Sequence, residues 1–373
     1  MFSAILTFLL AACAFTGATF AHFTGGPVAL SALLAFLVPA VFVAVIFASR
    51  RRQHGVISLM GKLSSLTMGY LNFGFLAALL CWPAAWGVRA LGIDWSNATV
   101  AWTLMGLAGA VATFGVINGR LVHLTRYTIP LPNLPPTWQG REVAVLSDIH
   151  VGIIRGPAFV QHLVDRLRTL DPAAVFIPGD MFDGPEIDIA AAVAPWRELT
   201  ASIPTYFVTG NHDEFRDPAA YLAALRKVGV HIMHHATVNL RGLQIVGLPD
   251  AASDDPQTFR QTLAATGFDR TVPSILLAHR PAHMAIAAEA GISLQLSGHT
   301  HAGQFPVWTW IVNRIYGRFA YGLNRVGPLH IVTSSGAGSG GPPLRVGTRS
   351  EIVVLRLEDA GPLPTTTAAA RAA

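Results

Sequence analysis

The sequence predicts an α/β protein with an N-terminal four-helix transmembrane region, and three observations carry this reading. First, no Asp, Glu, Lys or Arg occurs between Met1 and Ser49, and four apolar stretches fill the first third of the chain. Each is about 20 residues long, the length a helix needs to cross a bilayer. Second, from Glu142 onward short β-rich runs alternate with amphipathic helical stretches. Third, five polar clusters each follow directly on one of the apolar runs. In α/β sheets that edge is where ligands bind, because loops from several strands converge there.

Composition agrees. Hydrophobic residues make up 52% of the 373 and charged residues only 13%, too apolar for an ordinary soluble chain. The formal net charge is +5, and up to Gly119 five basic residues stand against one acidic residue. The remainder is nearly balanced, so the high pI is a membrane-flank effect and implies no nucleic-acid partner. Cys13 and Cys81 both sit in apolar runs, which excludes a disulfide framework or a cysteine zinc site in the polar half. Leu10-Ala11-Ala12-Cys13 has the look of a lipoprotein cleavage box, but no Lys or Arg precedes it, and a cysteine inside a membrane helix is the better reading.

The spans run over Phe2–His22, Pro27–Ser49, Leu66–Val88 and Thr99–Asn118. Arg50, Arg51, Arg52 and Lys62 lie between the second and third, and Arg120 and Arg126 follow the fourth. With the N-terminus inside, all of these are cytoplasmic and only Arg89 is outside, so the polar half is expected in the cytoplasm on a multi-pass inner-membrane protein. Gly106 and Ala110 have the spacing of close helix packing, expected within this bundle. No intramembrane acid or base marks a transport pathway.

Domain limits follow. Residues 1–120 form the membrane region and 121–141 a linker containing the stiff Pro-rich stretch Ile129–Pro136. Residues 142–359 are expected to form a second, α/β domain, and 360–373, rich in Thr, Ala and Pro, a disordered tail. Strands are expected at Val143–Leu146, Ala174–Ile177, Tyr206–Val208, Val230–Met233, Val238–Leu240, Leu243–Val246, Ile275–Leu277, Ser293–Leu296, His330–Thr333 and Ile352–Leu357. Helices are expected near Pro157–Leu170, Ile189–Leu199, Pro218–Val228, Gln257–Thr266 and Ala282–Ala290.

The polar clusters are Ser147–His150, Gly179–Asp183, Gly210–Glu214, Ala278-His279 and Gly298–His301. Any one of them reads as an ordinary loop. Together, Asp148, His150, Asp180, Asn211, His279, His299 and His301 supply oxygens and imidazoles only, a set suited to two divalent ions such as Mn²⁺, Fe²⁺ or Zn²⁺. Two such ions would neutralise an anionic substrate and lower the pKa of a bridging water, while a positioned histidine could protonate a departing group. His212 directly follows Asn211 and suits that task.

In order, D-x-H, G-D-x-x-D, G-N-H-D, a lone His and G-H-x-H resemble the calcineurin-like metallophosphoesterase superfamily over roughly Val143–Leu357. The G-H-T-H-A-G-Q stretch, with Gly341-Pro342-Pro343-Leu344-Arg345 and Glu351-Ile352 after it, resembles its YkuE-like bacterial membrane-associated branch. The resemblance implies a four-layer αββα sandwich. It implies Asp148, His150 and His301 on a first metal, Asp180 as bridge, and Asn211, His279 and His299 on a second, with Mn²⁺ favoured. His212 would be the catalytic histidine and Asp183 would orient it. The four spans lie outside the resemblance.

The expected activity is metal-dependent cleavage of phosphodiester or pyrophosphate bonds by a metal-bridging hydroxide, on a lipid-linked or nucleotide-lipid substrate, UDP-diacylglucosamine among them. The alternatives are a broad phosphodiesterase for soluble substrates and a non-catalytic membrane scaffold. Phe305–Tyr321 mixes Trp, Tyr and Phe with Arg314 and Arg318, which suits either a membrane interface or core packing. Gly336–Gly341 reads as a flexible loop at the cleft rim, and His283 as an even choice between a support for His279 and none. His231, His234 and His235 read as surface or partly buried residues.

Overall fold

A computed structural model describes residues 2–49, 55–183, 188–215 and 217–361, which divide into two units. The first holds the chain up to Leu121 together with Gly341–Val346, and the second holds Val122–Gly340 and the chain from Gly347.

The helical unit is built from α1 (Phe2–Thr24), α2 (Val28–Ser49), α3 (Gly55–Ala90) and α4 (Asn97–Asn118). All four are long and apolar enough to cross a membrane. Their outer faces carry Leu33, Phe36, Leu80, Trp86, Leu107 and Phe114, every one more than half exposed. Such faces are at home in lipid and would be an aggregation hazard in water. Inside, Phe23 of α1 packs on Cys81 and Ala85 of α3 and on Val100 and Ala101 of α4. The Ser96 hydroxyl caps α4 by accepting from Thr99 N at 3.0 Å.

Two expectations for this unit need correction. Helix α3 begins at Gly55, not near Leu66, so Lys62 lies on a helix and not in a loop. At 1.5 Å per residue its 36 residues extend about 54 Å, more than the roughly 30 Å of a hydrocarbon layer. Among the described residues Gly106 does not pack within the bundle either, because a Cβ built there meets none of them within 4 Å.

The α/β unit starts with β1 (Val122–Leu131) and β2 (Glu142–Val145), followed by α5 (Pro157–Leu170) and β3 (Val175–Pro178). Next come α6 (Ile189–Val193), α7 (Trp196–Thr200), β4 (Thr205–Val208), α8 (Asn211–Glu214), α9 (Ala219–Lys227) and β5 (His231–Ile232). The second half runs β6 (Ala236–Leu240), β7 (Leu243–Gly247), α10 (Pro256–Ala265), β8 (Ser274–Leu277), α11 (Met284–Ala290) and β9 (Leu294–Ser297). It ends with α12 (Trp308–Tyr316), β10 (Gly322–Val326), β11 (Leu329–Thr333) and β12 (Ser350–Asp359).

These strands make two six-stranded sheets, ordered β1-β12-β2-β3-β4-β5 and β10-β11-β9-β8-β7-β6. Strands β2 to β5 run parallel, as do β7, β8, β9 and β11. Strand period sorts the side chains by face. Val143, Val145 and Phe176 of the first sheet meet Ile245, Ile275, Leu277 and Leu296 of the second in a shared core. The alternate residues Ala144, Val175 and Ile177 face α5, α7 and α9, where Trp196 is fully buried. Leu276 and Val246 turn outward to α10 and α11. The order of layers is therefore helix, sheet, sheet, helix, as expected.

Strand β1 occupies the first half of the stretch expected to be a linker. Pairing in parallel with β12 along ten residues makes it a strand, and its edge position tolerates Pro130. The helix expected over Ile189–Leu199 is two short helices, separated at Pro195, which cannot donate to a helical ladder. Residues 362–373 of the expected tail lie outside the described residues; Ala360 still donates its N–H to Leu131 O.

Candidate metal centre

Each cluster sits where an apolar strand ends. Strands β2, β3, β4, β8 and β9 release Asp148 and His150, Asp180, Asn211, His279, and His299 with His301, respectively. The strands are buried and carry no freedom at their ends, so five loops meet in one place. Asp148, His150, Asp180, His299 and His301 all adopt positive φ, between 51° and 69°, which turns each loop sharply as it leaves its strand. Glycines allow the loops to touch. A Cβ at Gly298 would overlap Asp148, and one at Gly210 would overlap Asp180.

All nine side chains singled out in the sequence come together. His150 Nε2 lies 3.1 Å from His301 Nε2, and His301 Nε2 is 3.4 Å from Asp148 Oδ1. On the other side, His279 Nε2 is 3.2 Å from Asn211 Oδ1, and His299 Nδ1 is 2.8 Å from the same oxygen. Asp180 Oδ2 lies between the two sets, 3.7 Å from His150 Nε2 and 3.3 Å from His279 Nε2. Bonds of about 2.0–2.2 Å from a common ion would place ligand atoms about 3.0–3.5 Å apart, so this donor set fits divalent metal. Three groups drawn from Asp148, His150, Asp180, His212, His279 and His301 each bring their ligand atoms within 4.8 Å of one another.

Electrostatics support the same fit. Burial pushes the Asp148 carboxyl up. At Asp180 burial acts in the same sense, but His279, His150 and His212 overcome it and hold the carboxyl well below the usual range. Burial opposes a proton on His279, yet the charges of Asp180, Asp148 and Asp250 raise it to about 10. His299 is driven down to about 3, first by burial and then by the neighbouring His279. Without metal His279 therefore holds its proton, which a bound cation would displace. His279 Nδ1 donates to Pro178 O at 2.8 Å, which leaves Nε2 facing the site.

His212 sits at the rim, its side chain 31% exposed. Its Nδ1 is 3.1 Å from Asp183 Oδ1, and its backbone N–H donates to Asp180 Oδ1 at 2.9 Å. Burial works against the His212 proton, but the Asp183 hydrogen bond and the Asp180 charge raise its pKa above the ordinary value.

Several residues to which the sequence assigns no role support the site, Asp213 and Glu351 from within its motifs and Asp250 and Arg280 from outside them. Asp213, buried beside His212, accepts from Gly210 N at 2.8 Å and Phe182 N at 3.0 Å, joining two loops. Its carboxyl is raised to about 7, chiefly by burial and then by Asp180. Glu214 accepts from Asp250 N and Ala251 N, and Arg280 pairs with Asp250 and Asp254. The fully buried Glu351 accepts from Ser335 N at 2.9 Å, the Tyr321 hydroxyl at 3.0 Å and the Thr125 hydroxyl. His283 is not among the supports of His279: its Nε2 is bonded to Ser253 O and its ring leans on Phe259. His234 bonds the Thr209 hydroxyl and is partly buried.

The aromatic stretch after Gln304 forms α12, with Trp308, Trp310 and Ile315 49%, 70% and 68% exposed. Tyr316 at its end stands edge-on to His299, ring centres 6.0 Å apart. The helix therefore reaches from the metal-ligand loop to an apolar outer face.

Comparison with known proteins bears on this site directly. A family profile described as calcineurin-like phosphoesterase matches residues 142–303. The transmembrane protein with metallophosphoesterase domain of Bos taurus is 31% identical over 304 residues, 76% of this chain and 68% of its own length. The protein of the same description in Danio rerio is 32% identical over 271 residues, 68% of this chain and 62% of its own. YkuE of Bacillus subtilis (strain 168), described as an uncharacterized metallophosphoesterase, is 27% identical over 277 residues, 68% of this chain and 96% of its own. The chain thus spans about two thirds of the length of the vertebrate relatives. The ligand-rich strand ends fall within the matched region or directly at its edge, and this chain belongs to the calcineurin-like metallophosphoesterase family.

Proposed function

We propose that this protein is a binuclear phosphohydrolase that cleaves phosphodiester or pyrophosphate bonds of a lipid-linked substrate at the cytoplasmic face of a membrane. The observation that carries the reading is the position of Asp180 Oδ2, within 3.7 Å of one imidazole set and 3.3 Å of the other. Asp148, His150 and His301 would hold one ion, Asn211, His279 and His299 a second, and Asp180 both, with Mn²⁺ the favoured metal. When bound, such ions screen phosphoryl oxygens and acidify a water for attack.

The protein's own residues supply the rest. Asp183 accepts from His212 Nδ1 and so presents Nε2 to the cleft. As water adds to phosphorus and the bond to the leaving oxygen breaks, the Nε2 proton passes to that oxygen, a contribution of about 10²–10⁴-fold. Asp183 keeps the imidazole in the required tautomer.

The lipid preference is supported by α12, whose exposed Trp308, Trp310 and Ile315 stand with Arg314 ahead of Tyr316, and Arg318 follows two residues later. Aromatic and cationic side chains together suit the headgroup layer. Placement of Arg120 and Arg126 after the last span supports the cytoplasmic side.

The test is metal analysis of purified full-length protein, paired with turnover of a lipid-linked and a soluble phosphodiester. Two Mn²⁺ per chain with activity are expected. Trp310→Ser should lower turnover of the lipid-linked ester alone. One ion per chain would remove the binuclear reading. Equal effects of Trp310→Ser on both esters would favour a broad phosphodiesterase for soluble substrates.

A further inference from the structure

The Gly-rich loop between β11 and β12 is not loose. Its residues 341–346 belong to the helical unit, while Gly340 and Gly347 on either side belong to the α/β unit. Within the helical unit this segment is fastened to α3 and α4. Arg345 N donates to Gly115 O at 2.9 Å, Asn118 Nδ2 donates to Arg345 O at 3.0 Å, and the Ser65 hydroxyl donates to Gly341 O at 3.2 Å. Leu344 is fully buried against Gly69, where a Cβ would overlap it. A Cβ at Gly115 would lie 2.7 Å from Val346 Cγ2, and one at Gly119 would lie 3.2 Å from Leu344 Cα. Three helix glycines thus make the seat.

Within the α/β unit the flanking residues rest on two of the ligand loops. Ala337 N donates to Ser147 O at 2.9 Å and Gly338 N to Asp148 O at 2.8 Å. Gly340 N donates to Gln304 Oε1 at 2.7 Å, and the Thr348 hydroxyl donates to Gln304 O at 2.6 Å. A Cβ at Gly340 would lie 3.0 Å from His301 Nε2. The same dozen residues therefore clasp the backbone of Asp148 and the ring of His301 with their ends and hold α3 and α4 with their middle.

We propose that residues 337–348 form a strap through which the seating of Leu344 against Gly69 fixes Asp148 and His301 in ligand geometry. Gly340, Gln304 and Leu344 are then positioning residues, and metal affinity depends on packing between helices that bear no ligand. The proposal rests on the reading of Asp148 and His301 as metal ligands. A backbone that carries ligands can be displaced by fractions of an ångström, and supports of metal ligands typically contribute about 10–100-fold to affinity.

The experiment uses full-length protein in lipid nanodiscs, with Mn²⁺ affinity by calorimetry and amide hydrogen exchange of the strap as separate readings. Gly69→Leu should speed exchange across 341–346 and weaken Mn²⁺ binding by about 10-fold or more. The double variant Gly69→Leu with Leu344→Ala should restore affinity to within about 3-fold of wild type, because the smaller side chain vacates the overlap. Gly106→Leu, at a position with no neighbour within 4 Å, should change neither reading. Should Gly69→Leu fail to assemble, Leu344→Ala alone must weaken Mn²⁺ binding and speed exchange. Faster exchange with wild-type Mn²⁺ affinity, or no change in either reading, overturns the strap. A wild-type protein that binds no Mn²⁺ would instead remove the metal-site reading on which it rests.

Discussion

Replacing His212 by alanine separates two roles that the structure allows its imidazole. The ring stands edge-on to that of His150, centres 4.7 Å apart, and groups with His150 and Asp180 as a metal ligand could. It also bonds Asp183 and reaches the solvent side of the pocket, as a proton donor should. If it is the donor, the loss must depend on the leaving group. For a phosphodiester with an alkoxide leaving group, His212→Ala should slow turnover by about 10²–10⁴-fold, or about 2.7–5.4 kcal/mol of barrier. A nitrophenyl ester, whose leaving group departs without a proton, should lose no more than about tenfold, since the greater part of the 10²–10⁴ belongs to proton transfer. Mn²⁺ stoichiometry and affinity should stay at the wild-type level, because seven other donors remain. The assay is kcat on the two esters at saturating Mn²⁺, with metal binding measured beside it. Equal losses on both esters, or a drop in Mn²⁺ affinity parallel to the drop in rate, would refute the donor role and make His212 a ligand.

Three further outcomes can be checked. Asp183 holds His212 protonated to higher pH than usual, so activity on alkyl esters should fall as pH rises through that raised value, and Asp183→Asn should move this alkaline limb to lower pH; an unmoved limb would disconnect the pair. In stability, the His212 share is present at low pH and lost as pH rises through its folded value, while the share of Asp183, held below the usual range, is lost as pH falls. Chelation should abolish turnover and lower the melting temperature, since ions at about 100 times their dissociation constant add about 2.7 kcal/mol to folding; a melting temperature indifferent to Mn²⁺ would argue against a resident metal. Phe176→Ala, emptying a fully buried site between the sheets, should cost about 3–5 kcal/mol in urea unfolding, and a cost under about 1 would contradict the shared core.

What could be read without the structure was what is local and strongly patterned. Apolar runs such as Val143–Leu146 and Ile275–Leu277 announce buried strands, and ligand types placed just past them locate the site before any pairing is known. Features made by distant pairing were hidden. Val122–Leu131 becomes a strand only because β12 lies beside it, and its prolines and charges mask this. Gly336–Gly341 has the composition of a loose loop, and only the carbonyls of Ser147 and Asp148 and the side chain of Gln304 hold it still. The N-terminal extension of α3 carries Lys62, Ser64 and Ser65, whose polarity hid the start of an apolar stretch that runs over Ser58–Ala90. Helix α12 holds no fully buried residue, so its aromatic stretch could be read equally as membrane-facing or as core packing.

The positive φ angles at Asp148, His150, Asp180, His299 and His301 have a consequence for how the protein can change. A left-handed conformation costs a side-chain-bearing residue about 1–2 kcal/mol, so five of them draw on the order of 5 kcal/mol from a fold whose net stability is about 5–15. Glycine accepts that conformation freely. Substituting glycine at Asp148 or His301 should therefore yield an inactive protein that is more stable in the absence of metal. Acids and imidazoles at all five positions therefore place a capacity for metal in opposition to the stability of the loops that carry it.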